Sequence, residues 1–277
     1  MNIRKALLLA ALPVALTLTS CAHDDHGPAL AMESHGGDAH HHAAHQEGEH
    51  HHAPHWSYSG EGAPAHWGEL KAEFGTCAAG QAQSPINLTG AASAPVPALQ
   101  VNYGSTTLHV VNNGHTIQAN VDSGSTLTVA GKTYNLLQFH FHSPSEHTVD
   151  GQPADMVAHF VHKAEDSSLA VIGVLIQAGA ESAALAPVLS NMPAEEGGKV
   201  DNAQVTYDLA SILPADRSHF HYSGSLTTPP CSEGVDWNVM ATPVQISAAQ
   251  LDAYRHLYLG NARPVQPLNG RALDMGM

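Results

Sequence analysis

The sequence is short of positive charge, of aromatic residues and of long apolar runs, and each shortage narrows what the chain can be. Ten Lys and Arg stand against 25 Asp and Glu in 277 residues, a formal charge of −15. No basic patch is available to meet phosphates, which excludes nucleic acid as a partner. Only residues 6–18 are apolar for any distance, interrupted by Pro13 and Thr17, and that is too short to span a bilayer as a mature helix. No aromatic residue precedes Trp56, no internal repeat is visible, and cysteine occurs three times, at positions 21, 77 and 231.

What is present starts with an export pattern. Arg4 and Lys5 precede the apolar run, so residues 1–20 read as a signal peptide. Leu18-Thr19-Ser20-Cys21 resembles the bacterial lipobox, whose cysteine, here Cys21, receives diacylglycerol after cleavage. The expected location is the periplasm or outer membrane of a Gram-negative bacterium, with a lipid anchor as the sole membrane contact. Residues 21–55 hold eleven of the 22 histidines among Gly, Ala, Asp and Glu. Such a segment cannot bury enough apolar surface to offset its ordering entropy, so it is expected to be a disordered tether. Histidine-rich tracts bind divalent metals loosely, and this one also serves as a solvated spacer. Residues 56–277 have the composition of one β-rich globular domain. If Cys21 is lipidated, Cys77 and Cys231 remain as the only possible pair, or as two free thiols.

The domain reads as short strands. Residues 106–111, 116–121, 125–130 and 133–142 are β-branched or alternating, separated by Asn112-Asn113-Gly114, Asp122-Ser123-Gly124 and Gly131. Residues 156–162 and 169–177 continue the series, and the short connections imply antiparallel pairing. Residues 248–259 are the best candidate for a helix.

Chemistry concentrates in Gln138-Phe139-His140-Phe141-His142. Side chains two apart on a strand share a face, so His140 and His142 project together, away from Phe139 and Phe141. Two adjacent imidazoles can fill two corners of a zinc tetrahedron. A third must come from a neighbouring strand, where His159 and His162 are three apart and face opposite ways. Three neutral nitrogens would leave the fourth corner open, the mark of a catalytic zinc site.

Further along the chain the pieces Trp56-Ser57-Tyr58, His66-Trp67, Gln83-Ser84-Pro85-Ile86-Asn87-Leu88 and Asn112-Asn113-Gly114-His115 arrive in order. They are followed by the histidine motif, Ser145-Glu146-His147, His159-Phe160-Val161-His162, Ser225-Leu226-Thr227-Thr228-Pro229-Pro230 and Asn261-Ala262-Arg263-Pro264. In this order the set resembles the α-carbonic anhydrases over nearly all of residues 56–271. The resemblance implies a mainly β single domain, built on a central twisted, mostly antiparallel sheet of about ten strands with a few short helices. It implies Zn2+ held by His140, His142 and His159, and a Cys77–Cys231 disulfide.

The implied reaction is reversible hydration of carbon dioxide to bicarbonate and a proton, by zinc-hydroxide attack. Thr227 and Glu146 match the pair that orients the hydroxide, and His115 matches the proton shuttle. Val161, Val171, Leu226 and Trp237 match the apolar substrate pocket, with Thr228 beside bicarbonate. Tyr58, Gln138, His147, Tyr222 and Asn261 match groups behind the ligands. Sulfonamides and anions are the inhibitors implied, and a homodimer is compatible with the resemblance. One position departs. Many members carry a glutamate two residues before the third ligand, and this chain has Val157. His147 is then expected to lean on Tyr222, and Asp155 is a substitute acceptor on the face of Val157. Two other classes of function stay open at this level: a zinc-buffering lipoprotein working through its tether, and an inactive binding module of the same fold.

Overall fold

A computed structural model describes residues 55–276. The expected signal peptide, Cys21 and all of the tether except His55 lie outside the described residues.

Ten strands form the spine of one sheet: β1 (Ala92–Ser93), β2 (Ser105–Asn112), β3 (Ile117–Asn120), β4 (Lys132–His142), β5 (Met156–Lys163), β6 (Leu169–Ala178), β7 (Lys199–Asp208), β8 (His219–Ser225), β9 (Glu233–Met240) and β10 (Asp274–Gly276). Their spatial order is β7-β2-β3-β4-β5-β6-β9-β8-β10-β1, with three short strands paired off this path. The pairings are antiparallel except β6 with β9 and β10 with β1. The expected ten-stranded, mostly antiparallel sheet is therefore the observed spine.

Why the sheet has a core face and a cleft face is visible in β4 and β5. Phe139, Phe141, Met156, Ala158 and Phe160 are fully buried on one face, with Ile172 and Val174 of β6. The helix Ala248–Leu257 lays Leu251 and Tyr254 on this same core. Ser247 starts that helix with a reciprocal cap to Gln250, which satisfies backbone donors otherwise left open. On the other face Val157, Val171, Tyr222 and Trp237 make a second apolar cluster beside the cleft.

A single irregularity sets which residues face the cleft. Across the β4–β5 ladder Val161 pairs with Gln138 but His162 pairs with Leu136, so Leu137 is an extra residue in β4. Such a bulge flips the alternation. Tyr134 and Leu136 before it face the same core as Phe139 and Phe141 after it. His140 and His142 are turned to the opposite side as a result.

The strands β7, β8 and β9, and the two- and three-residue strands β1 and β10, were not legible as strands in the sequence. β7 is an edge strand with mostly exposed residues and so lacks alternation. β8 contains Ser-Gly-Ser, which dilutes its β signal; Gly224 is required there, because a Cβ would stand 2.2 Å from Ser84 Oγ.

Cys77 and Cys231 are bonded, joining residues 154 apart in sequence. Loop closure of this length contributes about 5 kcal/mol in the chain-entropy account. Reduction should therefore lower the melting midpoint of the domain by roughly 10 °C or more. Thermal melts with and without reductant check this, and coincident midpoints would contradict it.

Candidate metal centre

His140 and His159 sit directly opposite each other on β4 and β5, and Val157 sits opposite His142. The ring centroids are 5.4 Å apart for His140–His159, 5.2 Å for His140–His142 and 4.8 Å for His142–His159. One nitrogen from each ring lies within 4.8 Å of the others. A tetrahedral zinc with bonds of about 2.0–2.1 Å wants nitrogens about 3.3 Å apart, so small side-chain rotations close the cage.

The outer nitrogens of two rings are already engaged. His140 Nδ1 donates to Gln138 Oε1 at 2.8 Å, and His142 Nδ1 donates to the Asn261 carbonyl at 2.7 Å. Those bonds fix the tautomer and leave Nε2 of each ring with a lone pair. His142 Nε2 is buried with no hydrogen-bond partner. An unpartnered buried acceptor aimed at two further imidazoles fits a metal ion. Asn261 is itself locked, donating to the carbonyls of His115 and Phe141 and to Tyr254 Oη.

Burial disfavours the charged form of His140 and His159. It pushes His140 down to about 3, with His142 adding to the effect, and lowers His159 strongly for the same reason. A neutral imidazole is the form a metal binds, so at these two rings no proton has to be displaced at neutral pH.

His162 is excluded as a ligand. It faces the core, where Nε2 meets Tyr103 Oη at 2.5 Å and Nδ1 donates to the Ala170 carbonyl at 3.1 Å. Both nitrogens are occupied.

Val157 is fully buried and apolar, and the consequence shows in its surroundings. His159 Nε2 and His147 Nδ1 are both buried without a partner, and the two rings are 6.0 Å apart. His147 does lean on Tyr222, Nε2 to Oη at 2.7 Å, and Tyr222 in turn on Ser84 Oγ at 2.8 Å. Asp155 does not substitute for the missing carboxylate. It pairs with Arg255 at 3.1 Å and accepts from the Ala178 N–H at 2.9 Å.

Glu146 is 2% exposed. Burial raises its carboxyl, opposed by His142, by the Arg263 N–H at 2.9 Å and by the Thr227 hydroxyl. Oε1 takes the Arg263 N–H, while Oε2 has no bond of good geometry and is the free acceptor near Thr227. Arg263 was visible in the sequence only as part of a motif. Its guanidinium reaches Gln83 Oε1, the Ser84 carbonyl and the Cys77 carbonyl at 2.7–2.9 Å, tying the disulfide-bearing segment to the site.

The cleft above the three histidines has two unlike walls. One is polar and includes Tyr58, His115, Gln138, His140, His142 and Thr228 around about 430 Å³ of open space. The other is apolar, with Val161, Val171, Leu226 and Trp237 beside His140, His159, Thr227 and Thr228. The Trp237 indole is fixed by donating to the Ser225 carbonyl at 2.9 Å. Tyr58 lines the polar wall, its hydroxyl buried without a partner. His115 follows Gly114, whose positive φ of 86° favours glycine there. Asn113 Oδ1 accepts the His115 and Thr116 N–H groups at 3.0 Å, which closes the turn.

The family model of eukaryotic-type carbonic anhydrases matches residues 62–275. The carbonic anhydrase of Pectobacterium atrosepticum is 42% identical over 220 residues, covering 79% of this chain and 90% of the relative. That of Nostoc sp. is 45% identical over 221 residues, covering 78% and 84%. Among solved structures, the α-carbonic anhydrase of Thermovibrio ammonificans in complex with the inhibitor sulfanilamide is similar at 44% identity. Its TM-score is 0.76, with 79% of this chain and 98% of that one covered.

The buried imidazoles make stability depend on pH. Burial holds His140 and His147 at about 3 and His162 at about 4 in the fold, against about 6.5 in the unfolded chain. Between those values the unfolded chain binds more protons, so stability is full above about pH 6.5 and falls as pH drops toward 4. Glu146, raised by burial, and His109 and His221, raised by their aspartate partners, work the other way, but burial also lowers His115, His159 and His219. Melting midpoints of the metal-free protein should fall steadily from pH 7 to 5; a flat or rising profile would contradict the neutral-imidazole account.

Proposed function

The chain belongs to the eukaryotic-type, or α, family of carbonic anhydrases, and from that premise we propose that it hydrates carbon dioxide reversibly, with zinc held by His140, His142 and His159. The observation that carries the proposal is the triad of converging imidazoles where the polar and apolar walls meet. Zinc, when bound, supplies a nucleophile at neutral pH by lowering the pKa of water to about 7, a value that belongs to carbonic anhydrases generally and is not obtained from this structure.

The protein's own residues do the rest. Thr227 would donate a hydrogen bond to the free Oε2 of Glu146, so its oxygen is left to accept a hydrogen bond from the attacking group. An ionised carboxylate can only accept, and this fixes the direction of the pair. Val161, Val171, Leu226 and Trp237 offer carbon dioxide an apolar surface, suited to a small uncharged substrate. Thr228 borders both walls and contacts the bicarbonate product. His115 stands on the polar wall and takes up the proton released in each turnover at a ring nitrogen. Burial and the nearby His55 lower its pKa, and Glu196 raises it. Residues 1–20 act as an export signal in this reading, and Cys21 anchors the chain outside the cytoplasm by its lipid. The inhibitor bound by the Thermovibrio relative suggests that sulfonamides bind the same cleft here.

Stopped-flow assays should show carbon dioxide hydration that sulfanilamide abolishes. His140→Ala, His142→Ala and His159→Ala should each lose most zinc and nearly all activity, whereas His162→Ala should keep its metal. Full zinc occupancy in folded His159→Ala would overturn the ligand set, and absence of hydration in the zinc-loaded protein would overturn the activity.

A further inference from the structure

The mouth of the cleft carries an arrangement that the reaction as described does not use. Trp56 lies flat on His115, with ring centroids 3.5 Å apart and planes 14° apart. His55 is parallel to His115 within 2°, at 5.1 Å, and 6.3 Å from Trp56. These separations make a near right angle at His115, so His55 lies beside His115 in about the plane of its ring. Two imidazoles placed edge to edge at that spacing leave roughly 3 Å between their rims, a gap that a ring rotation or one bridging water turns into a proton path.

The position of His55 is built into the fold. Ser57 N–H donates to the Gly62 carbonyl at 2.7 Å, and a Cβ on Gly62 would stand 2.5 Å from the His55 carbonyl. Only glycine lets the backbone of residue 55 pass there. Trp56 is held in turn by edge contacts with Trp67 and Tyr58 at 5.4 and 5.8 Å. His55 Nδ1 donates to the Trp56 carbonyl at 3.0 Å, which leaves Nε2 as the free proton acceptor. His115 is half-buried and His55 is exposed.

We propose that His55 and His115 form a two-station proton relay, in which His55 hands to bulk buffer the protons that His115 collects. This rests on the carbon dioxide hydration reading. The proton leaves a ring nitrogen of protonated His115 and bonds to Nε2 of neutral His55; His115 returns to its neutral form, and a buffer base then removes the proton from His55. The groups facing His115 favour one proton on the pair rather than two: His55 opposes a second charge, and Glu196 supports the first.

In the zinc-loaded full-length protein, His55→Ala should lower kcat roughly three- to tenfold in dilute buffer. That is less than a positioned proton-transfer group can contribute, because buffer also reaches an exposed site. The kcat/KM for carbon dioxide should hold, and concentrated imidazole should restore kcat. In a His115→Ala background the same substitution should change nothing, since a relay in series is already broken. Wild-type kcat for His55→Ala in dilute buffer, or an undiminished effect without His115, overturns the relay. A second readout needs no turnover: in NMR titrations, removing His55 should raise the His115 pKa, and an unmoved titration also overturns it. If His115→Ala itself leaves dilute-buffer kcat unchanged, the shuttle reading fails and the relay with it, whereas loss of hydration in the wild type would indict the activity.

Discussion

The cross-strand pairing of His140 with His159 is the constraint on which the rest of the site depends. Those two rings come from residues 19 positions apart that meet only because β4 and β5 pair in this register. A slip of one residue would turn every side chain of one strand to the other face. The extra residue Leu137 is what reconciles a core-facing Tyr134 and Leu136 with a cleft-facing His140 and His142. Large aromatic side chains on the core face make the register costly to change, because either Phe139 and Phe141 of β4 or Phe160 of β5 would have to leave the interior. The apolar core thus acts on the chemistry through geometry.

Around the triad, hydrogen bonds are distributed unevenly. His140 and His142 each have an acceptor behind them, and the acceptor is uncharged in both cases. His159 has none, and the nearby His147 shares the deficit. Losing a partner of this kind typically costs about 10–100-fold in metal affinity or activity. Val157 gains apolar packing with Tyr222, Trp237 and Leu175 in exchange. The three imidazoles that would hold a metal therefore have no carboxylate behind them, Glu146 being the one buried carboxylate nearby.

Much of this was legible in the sequence, for reasons that differ from residue to residue. The spacing of His140 and His142 on a strand needs only the two-residue period of β structure, and the five neighbouring strands β2 to β6 carry enough β-branched residues to be seen. The choice between His159 and His162 was not decided by spacing, since it depends on the register with β4. What settles it is that His162 spends both nitrogens on Tyr103 and Ala170. The family motifs named Glu146 and Thr227 without showing why they meet. Arg263 ties the Glu146 loop to Ser84 from a distant part of the chain, and Ser84 is hydrogen-bonded to Ser225, two residues before Thr227. The bulge at Leu137 left no trace in composition, and the polar edge strand β7 had no alternation to detect. The stacking of Trp56 on His115 joins residues far apart in sequence, so no local pattern could have announced it.

Zinc X-ray absorption on the full-length protein loaded with one equivalent of zinc tests the central claim most directly. The account predicts three imidazole nitrogens and one oxygen at about 2.0–2.1 Å, the donor set of an open tetrahedral site. That signature should persist when residues 23–52 are deleted. A shell of four or more imidazoles, or a spectrum that collapses on that deletion, would place the metal in the histidine-rich segment and contradict the account.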